Sequence, residues 1–321
     1  MKQVKDAFVE VLVIFFVGGL VGSIMSVISN LFVIAVKWLS QQRMNSDILN
    51  INFGGFDLSM SSLVFLWIAA AGIVCIKKVF NIQKWAGPAD SMYAAHQPDS
   101  PLDVKQGFAS TLAAFTSLCG GASVGQYGPI VHFGATMGVV ISKLQLRKRA
   151  GFSRLPREVY LGCGVAAAIS AGFNAPIAGI IFAHEAILRH FSVRAIAPIT
   201  VASITASSFG NYLFPQTLTF QITSAAPALA EIVPLLVILS PVFAAVAIAF
   251  MWSLRYATAT AASMSVTPVA VPFIGATICG VIGIFVPQAL GLGIGSVNSM
   301  ISGEFLAVSY THLTLPTTPY V

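Results

Sequence analysis

The sequence predicts an all-α integral membrane protein that contains broken and re-entrant helices. Composition is the first reason, because 56% of the 321 residues are hydrophobic and only 9% are charged, with a mean hydropathy of +0.85. A soluble domain of this length could not cover its surface with so few polar residues. Long apolar runs are the second reason, and Gly-Pro pairs inside apolar sequence are the third.

Four apolar runs are long enough to cross about 30 Å of hydrocarbon as helices. They are residues 8–39, 60–76, 196–213 and 232–252. The first run is too long for a cleaved signal peptide and lacks a small-residue cleavage site, so we expect it to remain as a membrane helix.

Basic residues are concentrated in three loops, at residues 77–84, 143–157 and 189–194. Cytoplasmic loops of membrane proteins are enriched in Lys and Arg, which accounts for the net charge of +6 without a nucleic-acid partner. We therefore expect a lipid bilayer around the chain and a cytoplasmic N-terminus. The loop at residues 41–57 is then external.

The middle of the chain predicts helices that do not cross the bilayer completely. Residues 87–96 open with Gly87-Pro88 and are too short to span, so they predict a half-helix on the inner side. Further helices are predicted at residues 107–119, 129–144, 158–171 and 174–188. The last two helices predict a hairpin broken at residues 172–176, because the basic loops before and after this pair are both expected on the cytoplasmic side. Such breaks occur where backbone is buried in protein or lines a polar path, as in transporters.

A second apolar section follows, with helices predicted at residues 228–263, 271–286 and 290–306. We expect one transmembrane domain at residues 1–306, with a first half at 1–213 and the opening helices of a second half at 228–306. Residues 307–321 are rich in threonine and proline and predict a non-helical tail, either native or foreign to the protein.

The stretch Gly125-Gln126-Tyr127-Gly128-Pro129-Ile130 predicts a helix start. Proline suits the first turn of a helix, so we expect the helix to begin at Pro129. The glycines allow a tight turn that leaves backbone N–H groups bare. Such groups, with the positive end of the helix dipole, form an anion site. The alternative is that the glycines only allow close helix packing.

Two blocks of the sequence resemble the CLC family of chloride channels and chloride/proton exchangers. One is the stretch from Gly125 to Pro129, and the more specific one is Phe173-Asn174-Ala175-Pro176-Ile177-Ala178-Gly179-Ile180-Ile181-Phe182, followed by Glu185. The resemblance covers residues 8 to about 306. It implies inverted-repeat architecture with an incomplete second half, a homodimer in the bacterial inner membrane, and one path per subunit for chloride or another small anion. No cofactor is expected.

Departures from the family's motifs point to transport uncoupled from protons. The family's gating glutamate falls at Tyr127, and a phenol stays neutral at pH 7, so it can only donate a hydrogen bond to an anion. The inner glutamate of the exchangers falls at Ala186, while Glu185 matches the residue before it. The family's Gly-Ser-Gly-Ile-Pro motif falls at the half-helix, where the serine is absent and Gly87 and Pro88 can still offer a helix start.

We therefore predict passive anion transport, with contacts from the N–H groups between Gly125 and Ile130 and from the Tyr127 hydroxyl. The alternative is a truncated or degenerate subunit that does not conduct, because the family's later Gly-x-Phe-x-Pro motif does not occur in this chain. Chloride/proton or fluoride exchange is a further alternative.

An enzyme is not expected. The ionisable residues Glu185, His184 and His132 form neither a metal-binding spacing nor a nucleophile with a base. His132 is either a packed side chain or part of the path. Glu185 either makes capping or packing contacts near the inner interface or relays protons with His184.

Overall fold

The computed structural model of the chain describes residues 2–44, 50–53, 56–97, 102–147, 155–214, 220, 228–263 and 266–302. The α-helices in this part of the chain are α1 Lys2–Met44, α2 Ser61–Val79, α3 Pro88–His96, α4 Val104–Cys119, α5 Tyr127–Arg147, α6 Arg157–Phe173, α7 Pro176–Phe182, α8 Val193–Leu213, α9 Leu229–Ser263, α10 Ala270–Phe285 and α11 Ile294–Ile301.

The predicted helical membrane fold is confirmed, with one small addition. Strands β1 Asn50–Phe53 and β2 Phe56–Ser59 pair antiparallel between α1 and α2, with Asn50 opposite Ser59. Among the described helices, residues 11–43 of α1, all of α2 and all of α9 are long and apolar enough to cross a membrane. The α8 helix covers the predicted run at 196–213.

The predicted half-helix and the predicted hairpin break are both present. The half-helix α3 begins at Pro88, after Gly87. At the break, α6 ends at Phe173, Asn174 adopts a left-handed conformation with φ 51°, and α7 begins at Pro176. Proline is favoured at this position because its missing N–H would have no partner there. The chain continues after α7 as a π-helical turn, Ala183–Leu188.

Several helix starts differ from the predictions. The α4 helix begins at Val104, three residues before the predicted start, and α7 begins at Pro176 instead of residue 174. The α5 helix begins at Tyr127, two residues before the expected Pro129, because proline is accepted throughout a first turn whose N–H groups make no helical bond. The apolar run at 290–306 forms only the short α11 within the described residues. Gly291 and Gly293 precede it with φ 72° and 70°, left-handed conformations that interrupt a helix.

The chain divides into two compact units. The first contains Met1–Thr217 and Ala276–Gly293, and the second contains Leu218–Gly275 and Ile294–Val321. In the first unit α6 is central, because every residue from Val159 to Ala171 is buried. In the second unit, none of the residues of α9 is buried.

Small residues let the helices of the first unit approach closely, as is common in membranes. A Cβ built on Gly134 of α5 would overlap the carbonyl of Gly164 in α6, and the reverse substitution would meet the Gly134 carbonyl. The α1 and α8 helices meet in the same way, because a Cβ on Gly22 would lie 2.5 Å from the carbonyl oxygen of Ala202.

Neighbouring glycines of α1 provide a test of this packing. We expect Gly22→Ala to destabilise the protein by about 1–3 kcal/mol, because the added methyl group meets the α8 backbone. Gly19 has no atom within 4 Å of its Cβ position, so Gly19→Ala should stabilise by up to about 1 kcal/mol through helix propensity. Thermal unfolding of the purified protein in detergent measures both, and equal shifts for the two variants would contradict this packing.

Candidate functional site

The starts of α3 and α5 lie side by side. Pro88 is the first residue of α3, and Gly128 lies in the first turn of α5. A Cβ built on Gly128 would be 3.7 Å from Cγ of Pro88, which is ordinary van der Waals contact. The fold thus brings together the two Gly-Pro segments that the sequence singles out.

The start of α5 leaves three backbone N–H groups outside the helical ladder. Because α5 begins at Tyr127, the N–H groups of Gln126, Tyr127 and Gly128 precede the first helical bond, and Pro129 has no N–H. Ile130 lies where the ladder begins, so the earlier helix start removes its N–H from the predicted set. The Ile130 side chain belongs to the core. Gly125 is exposed, with open space at its Cβ position.

Tyr127 connects the start of α5 with the break between α6 and α7. Its half-buried ring stacks on the ring of Phe173, with centroids 3.7 Å apart and an interplanar angle of 23°. Gly172 makes room for this ring, since a Cβ there would lie 3.1 Å from Cε1 of Tyr127. Sequence reasoning missed Phe173 as the partner of Tyr127, because only the tertiary structure brings the two together.

Serines of α8 hold the α6–α7 break in place. The Ser207 hydroxyl donates to Oδ1 of Asn174 at 2.7 Å, and the Ser203 hydroxyl donates to the Pro176 carbonyl at 2.7 Å. The Ser170 hydroxyl in turn donates to the Ser203 carbonyl. Polar groups freed by a helix break need such partners at membrane depth. The position of Phe173, and hence its stacking on Tyr127, depends on this support.

The carboxylate of Asp90 caps the start of α3. The Gly87 N–H donates to Oδ2 of Asp90 at 2.8 Å, and Lys84 Nζ lies 3.9 Å from Oδ1 of the same side chain. The Ala86 N–H donates to the Ser110 hydroxyl at 2.9 Å. The N–H that Gly87 was expected to offer to an anion is therefore already bonded. Asp90 stands at the third helical position, a capping-box spacing that could have identified it from sequence.

Several polar side chains are almost fully buried around these helix starts and along the π-helical turn. Gln126 is 2% exposed and its Oε1 atom has no hydrogen-bond partner among the described residues. His132 is 1% exposed and its Nδ1 lies 2.7 Å from the Ser91 hydroxyl. His184 is also buried, with Nδ1 3.2 Å from the His190 carbonyl. Glu185, the residue after His184, is exposed, so these two side chains lie in different surroundings. Within the described residues, no three His, Cys, Asp or Glu side chains could hold a metal ion.

The family follows from comparison with known sequences. A sequence profile described as "Voltage gated chloride channel" matches residues 66–318, more than half of the chain. The chain belongs to the voltage-gated chloride channel, or CLC, family. The resemblance carried by residues 125–129 and 173–182 is thereby confirmed.

Two curated CLC relatives match a shorter stretch. The chain is 30% identical over 134 residues to a protein of Ralstonia nicotianae named as a ClcB-like chloride channel protein, covering 41% of this chain and 31% of that one. It is 24% identical over 148 residues to the voltage-gated ClC-type chloride channel ClcB of Yersinia pseudotuberculosis, covering 46% and 34%. The matched stretch spans about a third of each relative's length.

Solved CLC structures share the fold. A slow cyanobacterial Cl⁻/H⁺ antiporter superposes with a TM-score of 0.70 and 18% identity, covering 89% of this chain and 67% of the antiporter. A CLC-type fluoride/proton antiporter gives a TM-score of 0.60 and 20% identity, covering 90% and 69%. At these identities the likeness establishes the CLC fold and leaves the transported ion open.

Proposed function

We propose that this CLC chain conducts chloride or another small anion passively, without coupling to protons. The observation that carries the proposal is the start of α5, where the N–H groups of Gln126, Tyr127 and Gly128 precede the first helical bond and Gly128 lies against Pro88 of α3. Free N–H groups and the positive end of the helix dipole favour an anion. The Tyr127 hydroxyl is a further hydrogen-bond donor in the first turn of this helix.

The absence of carboxylates from two positions supports the lack of proton coupling. Residue 127 is a tyrosine in place of the family's carboxylate, so it offers no tethered negative charge that an anion must displace. Ala186 cannot carry a proton, and Glu185 is exposed on the π-helical turn. This favours a passive conductor over a chloride/proton or fluoride/proton exchanger.

The path that we propose runs between the two neighbouring helix starts. Gly125 provides its open side, Gln126, Tyr127 and Gly128 provide N–H donors, and Pro129 fixes the first turn of α5. The start of α3, with Gly87 and Pro88, forms the adjoining wall, because Pro88 contacts the position of Gly128. The proposed activity is transport and involves no enzymatic step.

We also propose that the protein is a homodimer in the bacterial inner membrane, with a cytoplasmic N-terminus and one path per subunit. The basic loops at residues 77–84 and 189–194 support this orientation, since positive charge marks the cytoplasmic side. Cross-linking in native membranes and labelling of an added N-terminal cysteine from either side would test the two statements separately.

The test of function is anion flux from liposomes that contain the purified full chain. Potassium chloride inside and valinomycin in the membrane allow chloride to leave down its gradient, and an external chloride electrode records the rate. We expect faster efflux than from protein-free liposomes, and the same assay with nitrate or fluoride salts ranks the anions. If a folded, monodisperse preparation gives no flux of any of these anions, the proposal fails and a non-conducting membrane subunit is the better account.

A further inference from the structure

His132 is a buried ionisable side chain between α3 and α5 that the proposed transport does not use. It follows Gly128 by four residues, so both lie on the same face of α5. That face is turned toward α3, because the Gly128 position contacts Pro88 and the His132 ring contacts Ser91. The imidazole therefore lies one helical turn below the place where the two helix starts meet.

The start of α3 packs against this ring. The Ser91 hydroxyl is 2.7 Å from Nδ1. Burial of the ring disfavours the charged imidazolium, whereas the Asp90 carboxylate and a hydrogen bond to the Gly87 backbone favour it. The second ring nitrogen, Nε2, is buried and has no hydrogen-bond partner of acceptable geometry among the described residues. The geometry makes Nε2 the nitrogen that can take a proton, and the nearby Asp90 carboxylate and Gly87 backbone offset part of the cost of charging a buried ring.

Other charged groups on the helices packed against α5 do not compete for this ring. Asp103 and Lys105 of α4 and Lys37 of α1 are exposed, and the Arg43 guanidinium lies against Gly121. On α6, the buried titratable side chains Tyr160 and Cys163 carry no charge at neutral pH, and the charged residues Arg157 and Glu158 lie in its first turn. Among the described residues, Asp90 is the charged group that acts on His132. One carboxylate oxygen of Asp90, Oδ1, lies near Lys84, and the other, Oδ2, accepts the Gly87 N–H.

We propose that His132 is a proton-binding site that controls access of the anion to the paired helix starts. We assign to the neutral ring the tautomer in which Nδ1–H donates to the Ser91 hydroxyl, so that Nε2 keeps a lone pair. A proton from water binds Nε2, and the ring becomes a cation. This role rests on the proposed anion transport, and it requires no proton to cross the membrane with the anion.

Two consequences of protonation favour the anion. A positive charge one turn inside α5 strengthens the attraction for an anion at its start, in surroundings where little water screens it. The same charge attracts the Asp90 carboxylate, which now caps the Gly87 N–H. Withdrawal of Asp90 toward the ring frees that N–H, so the start of α3 can also bind the anion. Anion flux therefore rises as the pH falls.

The proton site can be tested without any transport. We would label the histidines of the full chain with ¹⁵N and record imidazole spectra in detergent micelles between pH 4 and pH 8. The signal that disappears in His132→Gln belongs to His132, and we expect it to titrate within this range. Asp90→Asn should move its midpoint by about one pH unit toward acid, because loss of a nearby negative charge disfavours the imidazolium. A His132 signal that does not titrate above pH 4 would overturn the proposal.

Flux measurements test the control of access. We expect wild-type anion efflux to increase at least about fivefold from pH 7.5 to pH 4.5, and His132→Gln to remove this increase. His96→Gln is the matched control, since His96 is exposed at the end of the same α3 helix, and it should keep the wild-type profile. An unchanged pH profile in His132→Gln would overturn the role in access. Absence of flux at every pH would instead refute the proposed transport, and with it access control, while the spectra still decide the proton site.

Discussion

Replacing Tyr127 by glutamate is expected to slow anion flux at pH 7 by about tenfold relative to Tyr127→Gln. The glutamate side chain is ionised at this pH, and the free N–H groups at the start of α5 would bind it in place of the transported anion. A difference of about 1.4 kcal/mol, which corresponds to tenfold, lies within the range for charges at helix ends. Efflux from liposomes at pH 7 provides the measurement.

Glutamine is the matched control because it has the shape of glutamate without the charge. As the pH falls below about 4, the carboxylate becomes protonated and the two variants should converge in rate. This comparison is independent of His132, which is unchanged in both. If the glutamate and glutamine variants conduct equally at every pH, residue 127 does not line the path.

Substitution of Gly164 by alanine is expected to destabilise the first unit by more than about 3 kcal/mol. The new methyl group would overlap the Gly134 carbonyl, and its distance to the carbonyl carbon would be 2.6 Å. Overpacking a well-packed site costs about 1–3 kcal/mol, and here the obstacle is backbone that cannot rotate away. Against a total stability of about 5–15 kcal/mol, this loss should greatly reduce the yield of folded protein.

Gly162→Ala on the same α6 helix is the matched control. Its Cβ would lie 2.8 Å from Cδ1 of Ile199, the flexible end of a side chain that can move aside. Size-exclusion chromatography and thermal unfolding in detergent should show a folded Gly162→Ala variant and an aggregated or strongly destabilised Gly164→Ala variant. Similar behaviour of the two would contradict the close α5–α6 contact.

Local rules were sufficient to predict the helix breaks of this protein. The predicted half-helix after Gly87 and the predicted break at residues 172–176 are both present, and Pro88 and Pro176 are each the first residue of a helix. The start of α5 lies at Tyr127 instead of Pro129 because proline is tolerated anywhere in the first turn, so it limits a helix start to a few residues. For the same reason, the Ile130 N–H lies where the helical bonds begin and is no longer among the N–H groups of the predicted site.

The contacts around the site could not be predicted in the same way. Stacking of Tyr127 on Phe173 and support of the break by Ser203 and Ser207 join residues far apart in the sequence. Asp90 is different, because its capping position can be read from the spacing after Gly87.

The central claim is that anions cross this protein without protons. Liposomes containing the full chain would be given a steep chloride gradient, with a chloride electrode and a pH electrode recording both ions together. We expect chloride efflux with no proton movement beyond that of protein-free liposomes. Proton uptake driven by the chloride gradient in a fixed ratio to chloride would contradict the claim and identify an exchanger.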